Sequence, residues 1–236
     1  MADVETRTDS RALNSTAFVK LALAAVVIVS VGLIYLMAPR FEWTLGWIYV
    51  GIVVVTYATN LACVLRWNSV LIRRRARLGK GTKAWDAVWL LLFGPAVIAV
   101  YVVAVQDLRS EGSNAPGAAW LLGLALFVPG WALAIWSMVV NPFFEKTVRI
   151  QTDQGHHVID TGPYAYVRHP GYVGFVAWMV STPLMLGSTS AWVPALLAVL
   201  LLVIRTVLED RTLRAELPGY AEYAARVRFR LIPRVW

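Results

Sequence analysis

Residues 118–140 read AAWLLGLALFVPGWALAIWSMVV, a run with no charged side chain. About 20 apolar residues in a helix cross a hydrocarbon core roughly 30 Å thick, so this stretch alone is long enough to span a membrane. Pro129-Gly130 inside it is a candidate kink that could open a path for a substrate. Three further blocks, at roughly 17–38, 43–65 and 85–105, also qualify. Two shorter ones, roughly 172–187 and 191–208, are separated only by Ser188, Thr189 and Ser190 and read as a helical hairpin. The expected fold is an all-α integral membrane protein with about six transmembrane helices, the last two forming that hairpin.

Composition agrees. The 236 residues are 58% hydrophobic and 15% charged, against about 25% charged in ordinary soluble domains, and mean hydropathy is +0.61.

The basic residues set an orientation. Arg66, Arg73, Arg74, Arg75, Arg77, Lys80 and Lys83 crowd the connection between the second and third blocks, and such loops stay on the cytoplasmic side. Alternation then places both termini, the 141–171 connection and the tail with Arg211, Arg214, Arg226, Arg228, Arg230 and Arg234 on that side. The other side receives Arg40 and Glu42, the QDLRSEGSNAPG connection and the serine-threonine turn. The net charge of +8 is thereby explained by topology and anionic lipid, and a nucleic-acid partner is not expected. Trp43, Trp85 and Trp192 lie near span ends, where tryptophan anchors at the interface. Residues 1–16 lack a basic signal-peptide start and read as a flexible cytoplasmic tail. Cys63, the single cysteine, excludes an intramolecular disulfide.

The spans carry almost nothing ionisable in their interiors; polar chemistry gathers at 141–174 and 205–236. In the first of these, VRIQTDQGHHVID suggests two short extended runs with a turn at Asp153–Gly155. Gly162-Pro163 marks another turn. Pro170 disfavours helix at His169 and starts one itself, leaving free N–H groups near Gly171 and Tyr172 for an anion. In the second, Leu213, Leu217, Tyr220, Ala224 and Val227 recur at helical spacing, with Pro218-Gly219 as a break. Arg205 and Glu209 stand four apart and suit an ion pair. The adjacent His156 and His157 point different ways, and no metal site is expected. LGKGTK at 78–83 lacks phosphate-loop spacing and reads as a basic turn.

Taken together, residues 141–236 resemble the isoprenylcysteine carboxyl methyltransferase family and the related phospholipid N-methyltransferases. The likeness is carried by Asn141, Phe144, Val148, Arg149, Gln151, Gly155, His157 and Val158, by GPY at 162–164 and RHPGYVG at 168–174. It continues through Glu209-Asp210-xx-Leu213, Gly219-Tyr220-xx-Tyr223 and RxRLIP at 228–233. Two positions depart from the pattern: Asp210 stands where glutamate is usual, and Pro218 where an aromatic is usual.

The resemblance implies an S-adenosylmethionine-dependent membrane methyltransferase with a cytoplasmic cofactor-binding region. It divides the chain into the tail 1–16, four scaffold and substrate helices over 17–140, and a cofactor region over 141–236 with two membrane helices and a C-terminal amphipathic helix. The cofactor residues it implies are Gln151, His157, Gly162, Tyr164, His169, Pro170, Tyr172, Gly174, Glu209 and Tyr223. Aromatic faces, Tyr166 among them, suit a sulfonium cation.

Arg168 and Arg205 are candidates to orient a carboxylate acceptor, and Glu209 is a candidate base for an amine acceptor. The acceptor is expected to be a lipophilic small molecule or lipid-borne group, a carboxylate ahead of a phospholipid amine. An NADPH-dependent membrane reductase and a non-enzymatic membrane adaptor are the competing classes. The expected location is a multi-pass inner membrane position in a bacterium.

Overall fold

The computed structural model describes residues 44–75, 81–111 and 117–236; the expected first span at 17–38 and the tail 1–16 lie outside them. Among the described residues every regular element is helical. The α-helices are α1 (Thr44–Trp67), α2 (Ser69–Arg75), α3 (Ala84–Glu111), α4 (Gly117–Val140), α5 (Pro170–Leu186), α6 (Trp192–Glu216) and α7 (Tyr220–Arg226). Short 3-10 turns occupy Thr152–Gln154 and Gly162–Ala165. Among the described residues, four helices contain segments long and apolar enough to cross a membrane: Gly46–Trp67, Ala84–Asp107, Gly117–Val140 and Trp192–Glu216. The apolar α5, with 17 residues, is shorter.

Hydrogen bonds fix which helix ends lie together. At one end, Asn68 after α1 donates to the carbonyls of Met138 and Asn141 at 2.7 and 3.1 Å. Lys83 before α3 reaches Glu216 at the end of α6 at 2.7 Å. At the other end, Asp107 of α3 accepts from the Ser188 hydroxyl at 2.6 Å and the Ser190 N–H at 2.9 Å in the α5–α6 turn. The ends of α1, α4 and α6 and the starts of α3 and α5 thus share one end of the bundle, as helix alternation requires.

Packing follows the small residues. A Cβ on Gly174 of α5 would lie 2.4 Å from the Gly130 carbonyl of α4, and one on Gly130 would lie 2.5 Å from the Ala177 Cβ. The two backbones therefore touch, in the way membrane helices pack through glycine and alanine. The helix runs through Pro129, and Pro129-Gly130 supplies half of this seam. Buried Tyr49, Phe127, Trp131 and Met185 fill one core, and Trp89, Met179 and Leu202 another. Large apolar side chains such as Leu91, Leu121 and Val193, at 60–75% exposure, line the outer faces, where lipid contact rather than water suits them.

Three local expectations change. No strand forms at 148–159, because its backbone finds partners elsewhere. The Val148 N–H donates to the Asp86 carboxylate at 2.6 Å, the Val148 carbonyl accepts from the Lys83 N–H at 3.1 Å, and the Gln151 side chain donates to the Phe143 carbonyl at 3.0 Å. The expected turn is present, closed by Gly155 at φ 65°. The Tyr172 N–H is not free: it donates to the His169 carbonyl at 3.0 Å. Finally, α6 extends well past the apolar run, to Glu216, and this places Arg205, Glu209 and Asp210 on a continuous helix.

Candidate active site

A cleft of about 790 Å³, counting its open mouth, lies at the end of the bundle where α4 and α6 finish and α5 begins. Its walls come from the 141–159 connection, the start of α5, the end of α6, and α7.

Pro170 starts α5 with His169 as its N-terminal neighbour, in non-helical geometry at φ −127° and ψ 58°. This throws the His169 ring beside that of Tyr172, the two lying parallel with centroids 5.6 Å apart. The Tyr172 hydroxyl donates to Glu209 of α6. Across the cleft Glu145 and Arg149 pair at 2.9 Å, and both are largely buried.

Arg205 and Glu209 do not simply pair with each other. Arg205 lies 3.0 Å from Asp86 through Nε, donates to the Lys146 carbonyl at 2.7 Å, and sits 4.1 Å above the Trp89 ring. The short Nε–Asp86 contact is an ion pair whose angle fails as a hydrogen bond, so both atoms involved stay without a hydrogen-bond partner. Asp86, in the first turn of α3, is the residue that sequence reasoning missed. Its signal was an acid inside the apolar run KAWDAVWLL, indistinguishable there from a helix-start carboxylate.

Asp210 faces away into a second cluster. It takes Arg168 Nε at 2.7 Å, Arg230 at 3.0 Å, Arg214 at 3.2 Å and the Tyr220 hydroxyl at 3.0 Å. Arg168 also donates to the carbonyls of Val227 and Arg228 at 2.7 and 2.8 Å, while its own N–H meets the Phe229 carbonyl at 3.0 Å. Its Nε, Nη1 and Nη2 all have acceptors inside the fold.

Of the residues singled out from sequence, Gln151, His157, Tyr164, Arg168, His169, Tyr172, Arg205, Glu209 and Tyr223 line the cleft. Gly162, Pro170 and Gly174 do not: Gly162 packs on Val140 and Trp136, Gly174 on α4, and Pro170 starts its helix. Tyr166 is 69% exposed and outside the lining. Burial pushes the Tyr220 and Tyr223 hydroxyls above the ordinary tyrosine range, and the neighbouring Asp210 carboxylate adds to the effect on both. Both therefore serve as neutral hydrogen-bond donors, Tyr223 to the Tyr164 carbonyl at 2.7 Å.

Residues 122–215 match the isoprenylcysteine carboxyl methyltransferase family. This part of the chain is similar to that family. The matched region runs from α4 to the last turn of α6 and so contains most of the cleft wall. Among similar proteins, the protein-S-isoprenylcysteine O-methyltransferase of Schizosaccharomyces pombe is 41% identical over 122 residues, 52% of this chain and 47% of the relative. The probable protein-S-isoprenylcysteine O-methyltransferase of Oryza sativa subsp. indica is 35% identical over 66 residues, 28% of this chain and 35% of the relative. Protein-S-isoprenylcysteine O-methyltransferase B of Arabidopsis thaliana is 31% identical over 65 residues, 27% of this chain and 33% of the relative. The chain thus spans about half or less of the length of the curated relatives it matches. These relatives are eukaryotic and lend nothing to the expectation of a bacterial source.

The cleft residues fit S-adenosylmethionine. Gln151 is 1% exposed and its Oε1 lacks a hydrogen-bond partner; His169 is 6% exposed, and its Nε2 makes no hydrogen bond but lies 3.6 Å from Asp210 Oδ1. Buried polar atoms rarely stay unpaired, and these two line a cleft walled by Phe143, Phe144, Tyr172 and Tyr220. Polar groups that need partners beside aromatic faces that attract a sulfonium are a suitable donor set for this cofactor.

Proposed function

We propose that the protein is an S-adenosylmethionine-dependent methyltransferase that esterifies the carboxylate of a lipophilic acceptor, of the S-isoprenylated cysteine class, at the cytoplasmic face of a membrane. The observation that carries the reading is the coincidence of the family-matched region with a cleft in which the buried Gln151 Oε1 has no hydrogen-bond partner. The cluster of Arg211, Arg214, Arg226, Arg228 and Arg230 at the same end of the bundle favours the cytoplasmic face.

When bound, S-adenosylmethionine supplies an electrophilic methyl group on sulfur and leaves as S-adenosylhomocysteine. Gln151 and His169 hold its polar ends, and the rings of Tyr172 and Phe144 face its positive charge. Arg205, at the cleft wall, orients the acceptor carboxylate, whose oxygen already carries the lone pair that forms the new bond. No proton need be removed, so Glu209 acts by position and charge with the Tyr172 hydroxyl, not as a base. Holding both reactants in line accounts for much of the acceleration available to such a reaction.

The test is calorimetric binding of S-adenosylhomocysteine to detergent-purified protein, beside NADPH, followed by assay of base-labile methyl incorporation into an S-isoprenylated cysteine derivative. The expected result is binding of the first ligand only, weakened about tenfold by His169→Ala or Gln151→Leu through loss of one buried hydrogen bond each, and ester formation. Binding of NADPH alone would sink the proposal.

A further inference from the structure

Arg205 of α6 lines the cleft, and besides the Lys146 carbonyl the groups that hold it, Asp86 and Trp89, come from α3, outside the family-matched region. Asp86 is fully buried in the first turn of α3. Its Oδ2 accepts the Val148 N–H at 2.6 Å and its Oδ1 lies 3.0 Å from Arg205 Nε. One turn along, Trp89 presents its ring to the Arg205 guanidinium at 4.1 Å and donates its indole N–H to the Leu201 carbonyl at 2.7 Å. Lys83, just before the helix, closes the bracket by donating its N–H to the Val148 carbonyl at 3.1 Å. One end of α3 therefore grips α6 and the rim of the cleft together.

From this arrangement we infer that Asp86 is a positioning residue for Arg205, so that α3 completes a site whose recognisable residues all lie elsewhere. The inference rests on the methyl-transfer reading of the cleft. Its physical basis is competition for one guanidinium. Arg205 and Glu209 are one helical turn apart, a spacing at which opposite charges attract. Glu209 instead bonds the Tyr172 hydroxyl, while Arg205 is held by Asp86, the Lys146 carbonyl and the Trp89 ring, with the Tyr172 ring farther off at 5.6 Å. A buried arginine that loses its carboxylate needs another. Without the Asp86 charge, Arg205 swings to Glu209, removes it from Tyr172, and withdraws both charges from the acceptor.

Asp86→Asn is the informative variant, because the amide keeps an oxygen for the Val148 N–H and loses only the charge. The experiment is a double-mutant cycle of Asp86→Asn with Arg205→Gln in detergent-purified protein, read as kcat/KM for an S-isoprenylated cysteine derivative, with S-adenosylhomocysteine affinity and melting temperature alongside. Contacting residues couple strongly in such cycles. Asp86→Asn should lower kcat/KM at least about tenfold in the wild-type background and less than about twofold in the Arg205→Gln background, with Asp86→Glu restoring part of the loss. S-adenosylhomocysteine affinity should stay within about twofold of wild type throughout. Equal losses in both backgrounds, or no loss, would overturn the inference. Should the wild-type protein neither bind S-adenosylhomocysteine nor turn over, the methyl-transfer reading fails on its own account. The melting temperatures then decide: a double variant no less stable than the worse single variant supports the Asp86–Arg205 coupling, and additive shifts overturn it.

Discussion

Glu209 and Asp210 are adjacent, chemically alike, and set about 100° apart around α6. Glu209 looks into the cleft, where it accepts the Tyr172 hydroxyl. Asp210, wholly buried, gathers Arg168, Arg214, Arg230 and Tyr220, with His169 Nε2 3.6 Å away. The same chemical group thus lines the cleft in one case and closes the chain in the other. What separates the two is where each side chain leaves the helix and what it meets there. A carboxylate surrounded by guanidinium groups is a structural fastener, whereas one with a single hydroxyl partner at a cleft retains capacity for a ligand.

Asp210→Ala offers the strongest challenge to this contrast. It strands the Arg168 guanidinium, whose side chain is 1% exposed, and a buried charge losing its partner costs about 3–5 kcal/mol. Denaturant unfolding in detergent should show that loss; a stable but inactive variant would mean the two acids have exchanged roles. Glu209→Gln should do the reverse. Methyl transfer should fall about 100-fold, equivalent to ~2.7 kcal/mol of barrier, while stability stays within about 1 kcal/mol of wild type. Steady-state kinetics beside a melting curve tests both halves at once.

Raising the pH tests the fastener from its tyrosine side. Burial holds the Tyr220 and Tyr223 protons more tightly in the folded chain than in the unfolded one. Above pH ~10 the unfolded chain releases these protons first, so the folded state binds more of them and stability declines as pH rises. Below that pH the two groups leave no slope. The melting temperature should fall through the alkaline range, and Tyr223→Phe should flatten the fall. The smallest effect is expected at Lys83→Ala. Its bond to Glu216 joins side chains that are 31% and 44% exposed, and water and salt screen such pairs to under about 1 kcal/mol. A larger loss in a melting experiment would make this pair part of the bracket around Val148.

The spans were legible because uncharged runs such as 118–140 admit few other solutions, and the start of α5 was legible because Pro170 both ends the preceding geometry and suits a first turn. The C-terminal break was equally plain at Pro218-Gly219, and Leu217, Tyr220 and Ala224 pack together as their spacing predicts. The electrostatic partners were not legible. Arg205 and Glu209 satisfy a local spacing rule, yet Arg205 turns to Asp86, 119 positions away, and no local pattern encodes that. Arg168 looked ready to meet a ligand because the sequence does not reveal that the Val227 and Arg228 carbonyls come back to it.

The backbone contact between Gly130 and Gly174 bears on how such proteins can be recombined. Because the two helices meet without intervening side chains, α4 and α5 must be inherited as a matched pair. A graft that joined a foreign α4 to this α5 would bring a Cβ against the Ala177 side chain wherever the donor lacked glycine at the crossing. Exchange of the preceding helices should therefore succeed with a junction ahead of Gly117 and fail with one between Val140 and Pro170.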